Sequence, residues 1–319
     1  MERSTPVTTA AIDLQDTRAG AARRALAGQG LLEAVTWSFM PAAIAEQFGA
    51  INPHLRLSNP ISSDLDVMRP SILGNLVQAA KRNADRGFGD VGLFEVGPVY
   101  KNAAPEGQET VAAVLRGGKT PRHWAQPQRD VDAYDAKADA IAALAAAGAP
   151  VANLQITTDA PSWYHPGRSG CLRLGPALLA TFGEIHQVLL SACDAEGPMA
   201  GCEIFINAIP QSRSGSTAKP LLKLEALQLV ARDFAFVVDK SVTAAKLIKA
   251  VKDADKNFIR EVSVFDVYEG KGVETGKKSV ALGVTLQPGE KSLTDAEIEA
   301  IAIKITGSVT KATGAILRK

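Results

Sequence analysis

Hydrophobic and polar positions in this chain fall into short alternating runs separated by a few stripes of helical spacing. Residues 1–15 are polar and irregular and read as a linker or boundary segment. Asp16–Gln29 then reads as a helix ending near Gly30, with Ala19, Ala22 and Leu26 available for packing. Ala34–Phe39 predicts a strand and Pro41–Phe48 a short helix. Leu55–Ser63 is turn-rich around Asn59-Pro60. Ser71 stands where it can cap a helix whose Ile72, Leu73, Leu76, Val77 and Ala80 recur on one face. Strands follow at Gly92–Tyr100 and Val111–Arg116, then a helix over Asp135–Ala147 that stops at Gly148. Further strands are expected at Ile156, Leu172–Leu174, Thr181–Glu184, Val188–Leu190 and Glu203–Asn207. Many short strands with interspersed helices fit an α+β layer better than repeated parallel βαβ units.

Residues 210–220 combine Gln, Ser, Arg, Gly, Thr and Pro with almost no apolar content, the chemistry of a linker. The chain therefore divides into a first domain over 16–209 and a second over 221–319. In the second, Phe234, Phe236 and Val238 share one side of a strand over Asp233–Val238. A helix over Thr243–Ala254 carries Leu247, Ile248 and Val251 as its packing stripe. Strands are expected at Val262–Tyr268 and Ser279–Gln287. Thr294 with Glu297 three residues later has the capping-box pattern, ahead of a helix bearing Ile298, Ile301 and Ile305. Ala315–Arg318 supplies a last strand. The order is βαββαβ, the ferredoxin-like arrangement with two helices on one face of an antiparallel sheet.

Composition narrows the class. Of 319 residues, 46% are hydrophobic and 22% charged, which excludes a wholly disordered or collagen-like chain. No apolar run approaches the length of a membrane span, and no signal-peptide core follows Met1, so no membrane association is expected. Cys171, Cys193 and Cys202 are odd in number and widely spaced, which suits a reducing cytoplasm rather than a disulfide framework. The four histidines are scattered and suggest no zinc site. The formal charge is +1, but residues 219–319 hold 17 basic and 13 acidic residues and the remainder 18 and 21, a modest basic bias in the second domain.

Neither a P-loop nor a helix-opening GxGxxG occurs, and HExxH, CxxC and the G-x-S-x-G elbow are absent. The densest chemistry is Trp163-Tyr164-His165-Pro166-Gly167-Arg168-Ser169, where Arg168 could grip an anion and His165 exchange a proton. The same residues also suit a structured turn or a subunit contact. Glu184 and His186 could form a polar pair on a strand, and Glu95 could serve a subunit contact or a buried network. In the second domain, strict alternation places Val264, Asp266 and Tyr268 on one strand face and Phe265 and Val267 on the other. Helices cover only one face, so Tyr268 could stack on an unpaired base while Asp266 accepts from base-edge donors. Lys246, Lys249, Lys252 and Lys256, with Lys271, Lys277 and Lys278 near the next turn, could neutralise phosphates or form an ordinary solvated face.

From Asp16 onward, the chain resembles the C-terminal part of the bacterial phenylalanyl-tRNA synthetase beta subunit. The residues that carry this are Val35-Thr36-Trp37-Ser38-Phe39, Ser58-Asn59-Pro60-Ile61-Ser62, Met68-Arg69-Pro70-Ser71 leading to Lys81-Arg82-Asn83, and Leu93-Phe94-Glu95-Val96-Gly97. Tyr164–Ser169 and Phe182-Gly183-Glu184-Ile185-His186 continue the series, followed by Arg232-Asp233-Phe234, Phe265-Asp266-Val267-Tyr268, Ser292-Leu293-Thr294-Asp295 and Leu317-Arg318. The chain departs from the family pattern at Gly74-Asn75, Gln187, Glu225–Leu229 and Lys291-Ser292.

The resemblance implies a catalytic-like but noncatalytic module with a class II synthetase-like antiparallel sheet, then a ferredoxin-like anticodon-binding domain. It implies an alpha-subunit partner that performs ATP-dependent aminoacylation, an (αβ)₂ assembly and tRNA-Phe as the bound RNA. ATP and magnesium would belong to the parent complex, with no cofactor or metal in this chain. Asp266 and Tyr268 become the leading RNA contacts, with the seven lysines above and Arg318 as weaker phosphate contacts. Ser71, Leu76, Lys81, Arg82, His165 and Arg168 become candidates for subunit contact. A complete beta subunit is longer and carries tRNA-binding and editing regions absent before Met1, so a truncated chain that neither edits nor aminoacylates is expected.

Overall fold

In a computed structural model, the described residues are 12–211, 221, 227–289 and 291–318, and they form two compact units divided between Gly215 and Ser216. The expected linker over 210–220 lies almost wholly outside the described residues, as do the first eleven positions.

The first unit begins with α1 (Leu14–Gly28), capped by the Asp13 carboxylate, which accepts from the Asp16 amide at 2.7 Å. The helix therefore starts two residues earlier than its apolar pattern suggests. There follow β1 (Leu32–Glu33), β2 (Phe39–Met40), α2 (Ala42–Ala45), β3 (Val67–Met68) and α3 (Leu73–Ala84). Next come β4 (Val91–Tyr100), β5 (Gln108–Gly117), α4 (Ala133–Ala146), β6 (Gln155–Thr157), β7 (Tyr164–Leu174), β8 (Ala177–Ile185), α5 (Gln187–Ala192) and β9 (Met199–Phe205).

Seven of these strands form one sheet in the order β1-β4-β5-β9-β8-β7-β6, antiparallel except for the β1–β4 pair. Both faces are covered. Alternate residues Phe94, Ala112, Val114, Ala180, Cys202 and Ile204 pack beneath α1 and α4, while Val99, Val111, Ala113 and Leu115 pack beneath α2, α3 and α5. Arg18 of α1 is buried and donates to the carbonyls of Ile209 and Pro210 at 2.6 and 2.7 Å, which ties the end of the unit to its first helix.

Two expectations fail here for identifiable reasons. Residues 34–38 are not a strand. Only Leu32–Glu33 and Phe39–Met40 pair, and the segment between them is held by side chains instead. Val188–Leu190 lies within the helix α5. Leu189 and Leu190 are buried there, and the His186 imidazole Nδ1 accepts the Val188 amide at the helix start; an apolar run this short does not distinguish strand from helix by its period.

The second unit contains β10 (Val230–Asp239), α6 (Ala244–Ala254), β11 (Ile259–Tyr268), β12 (Lys277–Leu286), α7 (Asp295–Thr313) and β13 (Ile316–Leu317). Its antiparallel sheet runs β11-β12-β10-β13, the ferredoxin-like order. Phe234, Phe236, Val238, Val280, Leu282, Val284 and Leu286 face Leu247 and Val251 of α6 and Ile301, Ile305 and Val309 of α7. The capping box at Thr294 and Glu297 forms, and Gly314 ends α7 at φ 69°, a left-handed conformation that favours glycine. The α+β fold expected from sequence is the observed one.

Candidate functional site

Among the described residues of the second unit, the helices cover one face of its sheet and leave the other open. Cross-strand register defines that face as rows: Asp233, Gly283 and Ser263; then Ala235, Ala281 and Asp266; then Val237, Ser279 and Tyr268. Strict alternation would put Val264 with Asp266 and Tyr268, but a β-bulge between Val264 and Asp266 shifts the phase. Val264 pairs opposite buried Leu282 on the helix side, whereas Asp266 and Tyr268 lie on the open side. The extra residue is Phe265. It is 60% exposed, and its ring edge lies 3.8 Å from the point where a Cβ on Gly283 would sit. Phe265 therefore joins Asp266 and Tyr268 on the open face, a placement that alternation missed.

The floor of this face is made of small residues. A Cβ on Gly283 would also meet the Ser263 hydroxyl at 3.3 Å and the Asp233 carboxylate at 3.6 Å, so Gly283 keeps a shallow seat among three polar or aromatic side chains. A glycine inside a strand marks such a close approach, and was the available sequence signal. Across the sheet, the Arg318 amide donates to the Ala235 carbonyl at 2.8 Å, and the Arg318 guanidinium lies 5.6 Å from the centre of the Tyr268 ring. The Tyr268 hydroxyl donates to the Lys271 carbonyl at 3.3 Å. Tyr268 is thus braced at its hydroxyl and through its ring before any ligand arrives, with a π-face available for stacking.

The lysines divide. Lys246, Lys249 and Lys252 are exposed on α6, whose inward side packs against the opposite face of the sheet, and Lys256 lies just beyond, 3.8 Å from Asp253. Lys277 pairs with Glu274 at 2.7 Å and Lys278 donates to the Lys240 carbonyl at 2.9 Å. Among the cations singled out in the sequence, Arg318 is brought to the Tyr268 ring, whereas Lys271 meets the Tyr268 hydroxyl through its backbone carbonyl. Spacing along the chain grouped side chains that the sheet separates.

In the first unit, several candidates are consumed internally. Ser71 and Leu76 are 2% and 0% exposed, so neither side chain belongs to an exposed contact surface. Ser71 donates to the Glu203 carboxylate at 2.7 Å and accepts the Leu73 amide. His165 accepts the Gly167 amide at 3.1 Å, Ser169 donates to the His165 carbonyl, and Arg168 pairs with Glu184 at 2.5 Å. Residues 165–169 lie within β7, where the pairing with β8 is interrupted between Tyr164 and Ser169, so the segment is an irregular strand rather than the structured turn its residues suit, and the Glu184–His186 pair considered above does not form. Lys81 is held by Asp85 at 2.7 Å and Asp194 at 3.3 Å, which raises its pKa, chiefly through the Asp85 hydrogen bond. Arg82 is exposed and lines a shallow groove with Val35 and Trp37.

A row of polar groups lies beneath α3. Register aligns Glu95, Ala113, Glu203 and Thr181 across β4, β5, β9 and β8. Arg69 and Ser71 flank Pro70 and serve one carboxylate each. Arg69 is 1% exposed and donates to Glu95 at 2.8 Å, to the Thr36 hydroxyl at 3.0 Å and to the Pro98 carbonyl at 2.8 Å. Thr36 in turn donates to Glu95 through its hydroxyl and its amide. The network fixes residues 35–37 while leaving Val35 91% and Trp37 63% exposed. Burial pushes the Glu203 carboxyl up to about 7, against the lowering effect of Ser71 and the nearby Arg69. Among the described residues, no group of three or more His, Cys, Asp or Glu side chains could hold a metal ion, and no helix is long and apolar enough to cross a membrane.

In chain order, a large, mostly antiparallel sheet module precedes a ferredoxin-type sheet with an exposed aromatic-acidic face. Two family models match in that order: the phenylalanyl tRNA synthetase beta chain CLM domain over residues 3–206, and the ferredoxin-fold anticodon binding domain over residues 226–318. The chain belongs to the phenylalanyl-tRNA synthetase beta chain family. It is 56% identical over 298 residues to a protein of Rhodospirillum rubrum named phenylalanine–tRNA ligase beta subunit, covering 93% of this chain and 37% of that protein. A protein of the same name from Paramagnetospirillum magneticum is 55% identical over 303 residues, covering 94% and 38% respectively. The chain thus spans well under half the length of these relatives. Among solved structures, a pyrrolysyl tRNA synthetase from Desulfitobacterium hafniense aligns with a TM-score of 0.46 and 19% identity, over 60% of this chain and 64% of that one.

Proposed function

We propose that this chain is the alpha-docking and anticodon-reading part of a cytoplasmic phenylalanine–tRNA ligase. In this reading an alpha subunit performs ATP- and magnesium-dependent aminoacylation within an (αβ)₂ assembly, and this chain holds no cofactor or metal of its own. The observation that carries it is the open sheet face, where Phe265 and braced Tyr268 flank Asp266 over a floor of small residues. Bases of an unpaired loop would stack on the aromatic faces while the Asp266 carboxylate accepts from a base-edge amino group. Lys271 and Arg318 would contribute charge, and the α6 lysines a longer-range attraction. Holding tRNA-Phe at its anticodon end assists ligation by placement rather than proton transfer.

The test is tRNA-Phe affinity of the whole chain with single substitutions. Tyr268→Ala should weaken binding about tenfold, in the range of losing one stacked base, whereas Lys252→Ala should cost about twofold or less at moderate salt. Equal effects of the two would remove the open face from the site.

A second reading, a mainly structural alpha-binding chain with little RNA affinity of its own, is favoured by the exposed apolar residues Val35 and Trp37, which line a groove with Arg82. Co-purification with cognate alpha that is abolished by Trp37→Asp supports that surface. Retention of Tyr268-dependent RNA binding by the free chain separates the two readings.

A further inference from the structure

The first unit also holds a cavity of about 420 Å³ on the α3 side of its sheet, at the ends of β4, β5, β8 and β9. Phe48 and Trp163 wall it with ring centres 5.2 Å apart and planes at 57°, and Tyr100 and Phe205 complete an aromatic lining. Its polar floor is Thr181 and Glu203, neighbours in register. Arg69 lies near enough to act on Glu203 but is itself paired with Glu95 at 2.8 Å, so Glu203 receives the Ser71 hydroxyl and the Ile72 amide and makes no direct ion pair among the described residues. Lys101 is the sole cation among the lining residues and is already paired with Glu109 at 2.6 Å. The Thr181 hydroxyl lies 3.2 Å from that of Tyr164. The floor is therefore a buried carboxyl without a direct ion-pair partner, beneath aromatic faces that favour positive charge.

We propose that this cavity binds a small organic cation, a primary ammonium on a flat apolar body about the size of one aromatic ring. The ammonium donates to Glu203 and lies against the Trp163 and Phe48 faces, while the ring fills the space beside Phe205 and Leu178. A ligand carboxylate finds no free cation there, so simple amines are preferred over amino acids. The inference is independent of RNA binding.

The test titrates the whole chain with 2-phenylethylammonium and its uncharged counterpart 2-phenylethanol, followed by ligand-observed NMR and calorimetry. The ammonium should bind at least about tenfold more tightly at about pH 8. That advantage should shrink at about pH 5.5, where Glu203, held near a pKa of about 7, is protonated; the other charged groups facing it or the cavity are Arg69, Lys101 and Glu109. Glu203→Gln should abolish the preference, and the cavity-filling Leu178→Trp should abolish binding of both compounds, with far-UV circular dichroism confirming that each variant is folded. Equal affinity for the two compounds, no binding at about 10 mM, or unchanged binding in Leu178→Trp would overturn the proposal.

Discussion

Replacing Arg69 with Met should destabilise the first unit far more than a surface substitution. Arg69 and Glu95 are 1% and 4% exposed, and the guanidinium makes three hydrogen bonds of 2.8–3.0 Å, to Glu95, Thr36 and the Pro98 carbonyl. Truncation leaves a buried carboxylate whose remaining donors are the Thr36 amide and hydroxyl, a situation that costs about 3–5 kcal/mol. The double replacement Arg69→Met with Glu95→Leu removes the stranded charge as well. It should cost only about 1–2 kcal/mol, the residue being unpaired groups on Thr36 and Pro98. All three tryptophans, Trp37, Trp124 and Trp163, lie in the first unit, so urea unfolding followed by tryptophan fluorescence reports on that unit alone. A loss below about 1 kcal/mol for Arg69→Met, or a double variant costing the sum of its singles, would refute the view that this pair is a coupled buried network.

Glu203 gives a pH dependence of definite sign. Its folded pKa of about 7 lies above the ordinary 4.5, so the folded state holds the proton more tightly and stability falls as pH rises through that window. At 1.36 kcal/mol per pKa unit the fall is about 3 kcal/mol, and Glu203→Gln should flatten it in urea titrations at about pH 5 and pH 8; an unchanged slope would contradict it. Gly283→Ala should stabilise the second unit by about 0.5–1 kcal/mol where the Ser263 hydroxyl yields, since strand glycines carry an entropic cost, yet weaken tRNA-Phe binding by raising the floor of the open face. Calorimetry and a binding titration on one preparation check both signs. Thr294→Ala should cost about 1 kcal/mol through loss of the α7 cap, visible by far-UV circular dichroism and silent in tryptophan fluorescence.

Where periodicity was long and unambiguous, as in α3, α4, β10 and the Thr294 capping box, the elements were legible from residues alone. Failures came where tertiary contacts decide. Residues 34–38 look like a strand but are organised by Arg69 and Glu95, and α5 is too short for period to distinguish helix from strand. The candidate site was half legible. Asp266 and Tyr268 could be named, but a one-residue bulge decides which neighbours share their face, and alternation carries no signal for it. Alternation therefore assigns Phe265 to the helix side and Val264 to the open side, the reverse of where the bulge leaves them. The helix lysines were grouped by proximity in sequence, whereas α6 turns them to the far side of the sheet.

The most direct measurement compares binding of the whole chain to tRNA-Phe and to the same tRNA with an altered anticodon, across a salt series. An aromatic-acidic face reading unpaired bases requires a preference for the native anticodon that persists as salt rises, and that Tyr268→Ala removes. Identical affinities that fall together with salt would mean that only backbone charge is being held, and would contradict the account.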